Sequence, residues 1–294
     1  MAWQQSVVIS GHSAPVYACT VFDELIYSSA GDRFVTRWSI SDGKQDSFAV
    51  KLDAPAYTLG IVPSEKLLII GCTNGTVIAI NTNTKQLVWE HNFMGKALFS
   101  IVDCPDEKWL VAGDAEGHLL VVDYNGKLLT TFHLDCGKIR SIKHTGNALF
   151  IACQDGSWRQ LELPTFNEIR KQQAHDGGAT ALSVNPGNHL LLSGGKDAHL
   201  RLWDTLTGQL LQEWPAHYQT IYGIGQTAET IITASMDKTI KIWDSNEWKV
   251  TQRIEFRQGG HNRSVNGCFV IDQNRFLTFS DDKTILVFEL KMEN

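Results

Sequence analysis

A fourteen-residue phrase returns seven times along this chain and constrains its fold more than any single residue does. Its clearest copies are LLSGGKDAHLRLWD (191–204) and IITASMDKTIKIWD (231–244). IYSSAGDRFVTRWS (26–39) and FLTFSDDKTILVFE (276–289) vary it; LIIGCTNGTVIAIN (68–81), LVAGDAEGHLLVVD (110–123) and LFIACQDGSWRQLE (149–162) are looser. Aligned on Trp203, the copies fall at Trp38, Ile80, Val122, Leu161, Trp203, Trp243 and Phe288, spaced by 42, 42, 39, 42, 40 and 45 residues. A period of this size means stacked supersecondary units, since one unit cannot bury its apolar faces alone.

Each copy is an apolar run, a tight polar turn and a second run of alternating character. In 191–204 the first strand is Leu190 to Ser193, the turn Gly194 to Ala198, and His199 to Trp203 runs out again. That is a β-hairpin by its turn residues and its period of two. Further strands precede and follow it, at Thr180 to Val184 and Gln209 to Trp214, so each unit is a four-stranded sheet.

The phrase resembles the WD repeat, with Trp203-Asp204 and Trp243-Asp244 as its Trp-Asp pairs. The upstream Gly-His marker stands at Gly11-His12 and Gly260-His261, and as Ala-His at Ala174-His175 and Ala216-His217. The resemblance covers roughly residues 3 to 290. It implies an all-β fold: a seven-bladed β-propeller of four-stranded antiparallel blades. The whole of 1–294 is then expected to form a single domain. Little chain follows Phe288-Glu289, whereas Gln4 to Ser10 precedes the first Gly-His marker. The resemblance therefore implies that residues 4–10 supply the outer strand of blade 7 and close the ring.

Composition narrows the function. A net charge of −6 and a pI near 5.9 argue against a general duplex-binding protein, which needs a basic footprint. The apolar runs, such as Leu67 to Ile70, are too short to span a bilayer as helices. The N-terminus MAWQQSVVIS lacks a basic segment followed by an apolar core, so no secretory signal is expected. The six cysteines form no C-x-x-C pair and read as reduced core thiols of a cytoplasmic protein.

Three copies carry His, hydroxyl, Asp and Trp at matching offsets: His12, Ser28, Asp32 and Trp38; His175, Ser193, Asp197 and Trp203; His217, Thr233, Asp237 and Trp243. The seventh has His261, Thr278 and Asp282, with Phe288 in place of Trp. Such a set is similar to a hydrolase triad. A nucleophile is needed once, however, and the WD resemblance implies a buried hydrogen-bond chain from turn to strand. These residues are expected to be structural, with no catalytic residue among them. Blades 2 to 4 lack the set and are expected to rely on apolar packing. P-loop, G-x-S-x-G and H-E-x-x-H motifs are absent, and no cofactor or metal site is expected.

In the family, partners dock on the top face around the central channel. The positions that reach it correspond here to Tyr17, Tyr57, Phe99 and Tyr222 as an aromatic series, with Lys138, Arg140 and Lys196 as a basic sector and Met236 before a turn Asp. Such a surface suits a peptide or protein, and its basic side an acidic or phosphorylated segment. The expected function is therefore a non-catalytic interaction scaffold, binding neither nucleic acid nor membrane.

Two alternatives remain open from sequence. GCTNGTVIAINTNTKQLVW (71–89) and GDAEGHLLVVDYNGKLL (113–129) are similar to repeats of pyrroloquinoline-quinone-type propellers, some of which are enzymes. FRQGG (256–260) resembles the Phe-Arg-Arg-Gly motif of phosphoinositide-binding propellers, but retains only Arg257 as a cation.

Overall fold

The computed structural model describes residues 2–93, 95–185 and 187–291. These form seven four-stranded antiparallel sheets. Each of blades 1 to 6 takes four consecutive strands. Blade 1, for example, runs Val16–Phe22, Leu25–Ala30, Phe34–Ser39 and Gln45–Lys51. The first strand of every blade packs against the first strands of the blades on either side, and blade 7 returns to blade 1, so the ring closes around a central channel.

Burial explains why these segments are strands. The second strands are sandwiched between neighbouring blades and carry nearly continuous apolar runs; Leu67–Cys72 and Ala148–Cys153 are buried at every residue. The outer strands are edges with mostly wet side chains, as in Leu128–His133. Apolar clusters lie between successive blades; one joins Val111 and Leu119 of blade 3 to Ile139 and Ile151 of blade 4.

The hairpin turn inside each phrase uses a left-handed residue at one matched place. These are Arg33, Gly75, Gly117, Gly156, Ala198, Lys238 and Lys283, all with φ between 63° and 94°. Glycine holds the place in blades 2 to 4, where a Cβ would collide; on Gly156 it would lie 2.0 Å from His175 O. In the other blades the preceding Asp ties the turn, as Asp237 Oδ1 accepts from Thr239 N at 3.0 Å.

Ring closure follows the expectation, with a longer strand. Ala2–Ser10 pairs antiparallel with Thr284–Lys291 as the outer strand of blade 7. It begins two residues earlier than Gln4 because Trp3 is buried on Phe276, ring centroids 4.9 Å apart. Gln252 fixes the same end, accepting from Trp3 N at 2.9 Å and donating to Trp3 O at 2.7 Å.

Candidate functional site

Every first strand carries a β-bulge at its second residue. The skipped residues are Tyr17, Tyr57, Phe99, Arg140, Thr180, Tyr222 and Asn266, one per blade. A bulge leaves its extra residue out of the ladder and re-aims its side chain. All seven line the central cavity, whose volume is 690 Å³. The aromatic series found in the sequence is thus a set of bulge residues around one mouth.

Three of these aromatics touch. Tyr17 meets Tyr57 edge-on at 4.9 Å, and Tyr57 stacks on Phe99 at 5.3 Å. The arc then meets the cations of blade 4: Lys138 Nζ lies 4.5 Å and the Arg140 guanidinium 5.0 Å from the Phe99 ring centre. Across the mouth, Tyr222 donates its hydroxyl to Met236 Sδ at 3.8 Å. Thr180 turns into the wall, donating to Ile221 O at 2.6 Å. Asn266 bridges blades 7 and 1, donating to Val16 O at 2.9 Å and Asp281 Oδ1 at 2.8 Å. Lys196 stands apart from the other expected residues. It is exposed beside the rim and outside the cavity lining, its backbone N–H bonded to Gly178 O.

The cations of blade 4 are held under electrostatic stress. Burial lowers the Lys138 ammonium below its ordinary value, and repulsion from Arg140 and Lys196 lowers it further. Burial likewise lowers Arg140, against the pull of Tyr222 and Tyr57. The Tyr17 phenol is raised by burial, then by Tyr57 and Asp281. The wall also carries residues that the sequence reading passed over. Lys143, three positions after Arg140, lines the same cavity, as do Cys19 and Cys268, half-buried free thiols that also pack against the apolar clusters between blades. A signal for Lys143 existed: blade 4 alone has Lys or Arg in its first strand.

The His–hydroxyl–Asp sets form chains with a single consistent proton order. In blade 5, Trp203 Nε1 donates to Ser193 Oγ at 2.9 Å, and Ser193 lies 2.8 Å from His175 Nε2. His175 Nδ1 lies 2.8 Å from Asp197. The indole can only donate and the carboxylate only accept. With a neutral imidazole, Ser193 donates to Nε2 and the proton on Nδ1 goes to Asp197; Arg201 Nη1, 2.7 Å from the same Nδ1, donates to Asp197 Oδ2 at 2.7 Å. Blade 1 repeats this at 2.7, 2.8 and 2.9 Å through Trp38, Ser28, His12 and Asp32. Blade 6 uses Trp243, Thr233, His217 and Asp237 at 3.0, 2.8 and 3.1 Å. Blade 7 keeps Thr278, His261 and Asp282, at 2.9 Å each, and Phe288 offers no donor. Although the order is that of a hydrolase triad, Ser28, Ser193, Thr233 and Thr278 are each 0% exposed, so no substrate reaches the oxygen.

Burial pushes the His175 and His217 imidazoles below their ordinary value, keeping them neutral. For Asp197, Asp237 and Asp282 burial acts upward, but hydrogen bonds from histidine and backbone outweigh it and hold the carboxyls well below the usual range.

Blade 4 departs from the apolar packing expected of blades 2 to 4. Arg159 is buried and pairs with Asp155 and Glu168, each at 3.1 Å. It also donates to Leu134 O at 2.7 Å, in the linker before the blade, where blades 1, 5, 6 and 7 carry their marker histidine. Blade 3 holds a smaller substitute, with His118 Nδ1 2.9 Å from buried Asp114. A search for the histidine marker passes over both.

The motifs behind the two alternatives have local tasks. Trp89 Nε1 donates to Tyr124 O at 2.9 Å and so staples blade 2 to blade 3. Phe256–Gln258 is a 3₁₀ turn leading into blade 7, and Arg253 beside it is engaged with Glu255 at 2.8 Å. Arg257 is left without the second cation that strong phosphate capture at a membrane requires. Among the described residues no helix is long and apolar enough to cross a membrane, and no cluster of three His, Cys, Asp or Glu could hold a metal ion.

Residues 166–204 and 208–244 match the family described as WD domain, G-beta repeat. The chain is similar to an uncharacterised WD repeat-containing protein of Schizosaccharomyces pombe, 22% identical over 275 residues, covering 80% of this chain and 68% of the relative. It is also similar to Protein HIR1 of Eremothecium gossypii, 28% identical over 170 residues, covering 52% of this chain and 20% of that protein. Pre-mRNA-processing factor 17 of Saccharomyces cerevisiae is 33% identical over 90 residues, covering 29% of this chain and 20% of the relative. The chain thus spans about a fifth of the length of the latter two.

Proposed function

Since this chain is a WD-repeat propeller, we propose that it is a non-catalytic interaction scaffold whose channel mouth receives an acidic or phosphorylated segment of a protein partner. The observation that carries this reading is the bulge ring. Tyr17, Tyr57 and Phe99 form a touching aromatic arc that ends on Lys138 and Arg140. Tyr and Arg are the residues that most often dominate interface energies, and aromatic faces immobilise at small entropic cost. The cations add charge-assisted hydrogen bonds to carboxylate or phosphate.

The relatives favour the general part of the reading. A pre-mRNA-processing factor and Protein HIR1 share these repeats under different names, as expected when function lives in sites grafted onto a common scaffold. The net charge of −6 speaks for a protein partner over duplex nucleic acid. Residues 1–294 are read as one propeller domain acting in the cytoplasm without a cofactor.

The test is affinity capture with mass spectrometry, comparing the native chain with the Tyr17→Ala/Tyr222→Ala double variant. Both side chains are half-exposed at the mouth, so the variant should melt like the native protein while losing the partner. Retention of every captured protein by a correctly folded double variant would sink the proposal.

A further inference from the structure

We propose that Arg140 and Lys143 form an anion site on the channel wall of blade 4 that takes a phosphate group, borne by a small molecule or by a phosphorylated side chain entering from the mouth. The site goes beyond partner capture at the rim: Lys143 lies further along the strand, and a free phosphate needs no protein partner.

The first support is placement. Lys138, Arg140 and Lys143 all line the 690 Å³ cavity, which has room for a phosphate with part of its hydration shell. They lie on, or one residue before, the single strand Ile139–Thr145. The first strands of the other blades carry no Lys or Arg, so the positive charge is concentrated on one wall.

The second is that these cations lack carboxylate partners among the described residues. Among the described residues, Arg37, Arg159, Arg201 and Arg275 each pair with a carboxylate, at 3.1 Å or less. Among the described residues, none of Lys138, Arg140 and Lys143 meets a carboxylate within 4.0 Å. The cavity lining holds one carboxylate, Asp281, and that oxygen already accepts from Asn266. Three cations facing one engaged carboxylate leave an uncompensated positive field inside a chain of net charge −6. Enclosure by low-dielectric walls focuses such a field on a bound anion.

The third is donor geometry. The Arg140 guanidinium carbon lies over the Phe99 ring, 5.0 Å from its centre, and the Arg140 side chain makes no hydrogen bond among the described residues. A cation–π contact uses no N–H donor, so the guanidinium donors remain for a bidentate oxyanion contact. Lys143 is exposed within the channel although protein surrounds it, and that enclosure lowers its ammonium from the ordinary value. A singly charged carboxylate would neutralise one cation of the group. A phosphate, with up to two charges and three acceptor oxygens, answers both Arg140 and Lys143.

Calorimetric titration of the full chain at low salt tests the site with two probes, inorganic pyrophosphate and N-acetyl-phosphoserine amide. Low salt matters because screening weakens exposed charge interactions. Binding of either probe is expected, and Arg140→Gln or Lys143→Met should each weaken it by about tenfold or more. Lys143→Arg retains the charge and should retain binding; Lys44→Met, on the far surface, should change nothing. Pyrophosphate binding identifies a free anion as a ligand, whereas response to phosphoserine alone assigns the site to a peptide-borne group. The proposal is overturned if neither probe binds the folded native chain. It is equally overturned if the channel variants bind as well as Lys44→Met. Loss of partner capture in the Tyr17/Tyr222 variant with pyrophosphate binding intact would separate this site from the rim.

Discussion

Arg159 stands in blade 4 where Arg201 stands in blade 5, and each turns back on the aspartate four residues before it, at 3.1 Å to Asp155 and 2.7 Å to Asp197. The two arginines differ in what surrounds the shared carboxylate. Asp197 also has His175, whereas Asp155 relies on Arg159, with Lys171 at 3.4 Å as its other cation. Arg159 also ties the turn to Leu134 in the preceding linker, the task that histidine performs elsewhere. We therefore expect Arg159→Leu to cost about 2–3 kcal/mol, toward the cost of breaking a buried ion pair. Arg201→Leu should cost about 1–2 kcal/mol, because Asp197 keeps His175 and the second partner, Glu213 at 3.0 Å, is exposed. Urea unfolding of the two variants compares them, and equal losses would contradict a special role for Arg159.

The matched left-handed turn positions lead to a pair of substitutions of opposite sign. Lys238 is exposed and adopts φ 73°, a conformation that glycine reaches without a Cβ penalty. Lys238→Gly should therefore be neutral or stabilising by up to about 1 kcal/mol, less the added entropy of the unfolded chain. Gly156→Ala is the opposite case, since its Cβ would sit 2.0 Å from His175 O. It should cost at least about 2 kcal/mol, in the range of forced overpacking. Melting temperatures of the two variants on opposite sides of the native value would bear this out.

The fold was legible in the sequence because the repeat reports the same local physics seven times. A turn at the Ala198 position, a buried strand ending near Trp203 and a marker histidine recur, so the spacing carries even the weak copies. Ring closure was legible for a related reason, Gln4 to Ser10 being a strand without a repeat of its own. The site was legible only in part. Alignment put Tyr17, Tyr57, Phe99 and Tyr222 at one position, but the bulge that aims them is a register slip of one residue with no compositional mark. Lys143 escaped because it stands three residues beyond that position in its strand. Arg159 escaped because arginine replaces histidine from a different strand, so no marker at the expected offset announces it.

Closure of the ring should depend on Trp3. Its ring is 5% exposed and packs on Phe276, which in turn stacks on Phe288. Trp3→Ala should cost about 3–5 kcal/mol, the usual price of removing a buried indole. Deleting residues 1–9 should do more, because it strips all but one residue of the strand paired to Thr284–Lys291 and exposes that strand's edge to other chains. Aggregation or loss of cooperative melting is the expected outcome. A soluble truncated chain with an unchanged melting temperature would refute closure by this strand.

Acid should unfold the protein in two stages whose order follows from the buried chains. His175 and His217 are held below the ordinary histidine value of 6.5, chiefly by burial. As pH falls through about 6.5 the unfolded chain takes up protons that the folded chain refuses, so their contribution, present above that value, is progressively lost. Asp197, Asp237 and Asp282 lie below the ordinary 3.8 because hydrogen bonds from histidine and backbone outweigh burial. Their contribution is present above 3.8 and disappears as pH falls further. The melting temperature should therefore be flat from pH 8 to 7, decline from about 6.5, and drop more steeply below about 4. Asp197→Ala and Asp237→Ala remove the carboxylate partners of His175 and His217 respectively, and each should cost about 1–3 kcal/mol at pH 7. Because each removes a carboxylate with a depressed value, each should also shallow the steep segment below pH 4. A melting temperature that rises between pH 6.5 and 5 would show instead that these histidines gain a proton more readily in the folded state, and would overturn the assigned order of donors from Trp to Asp.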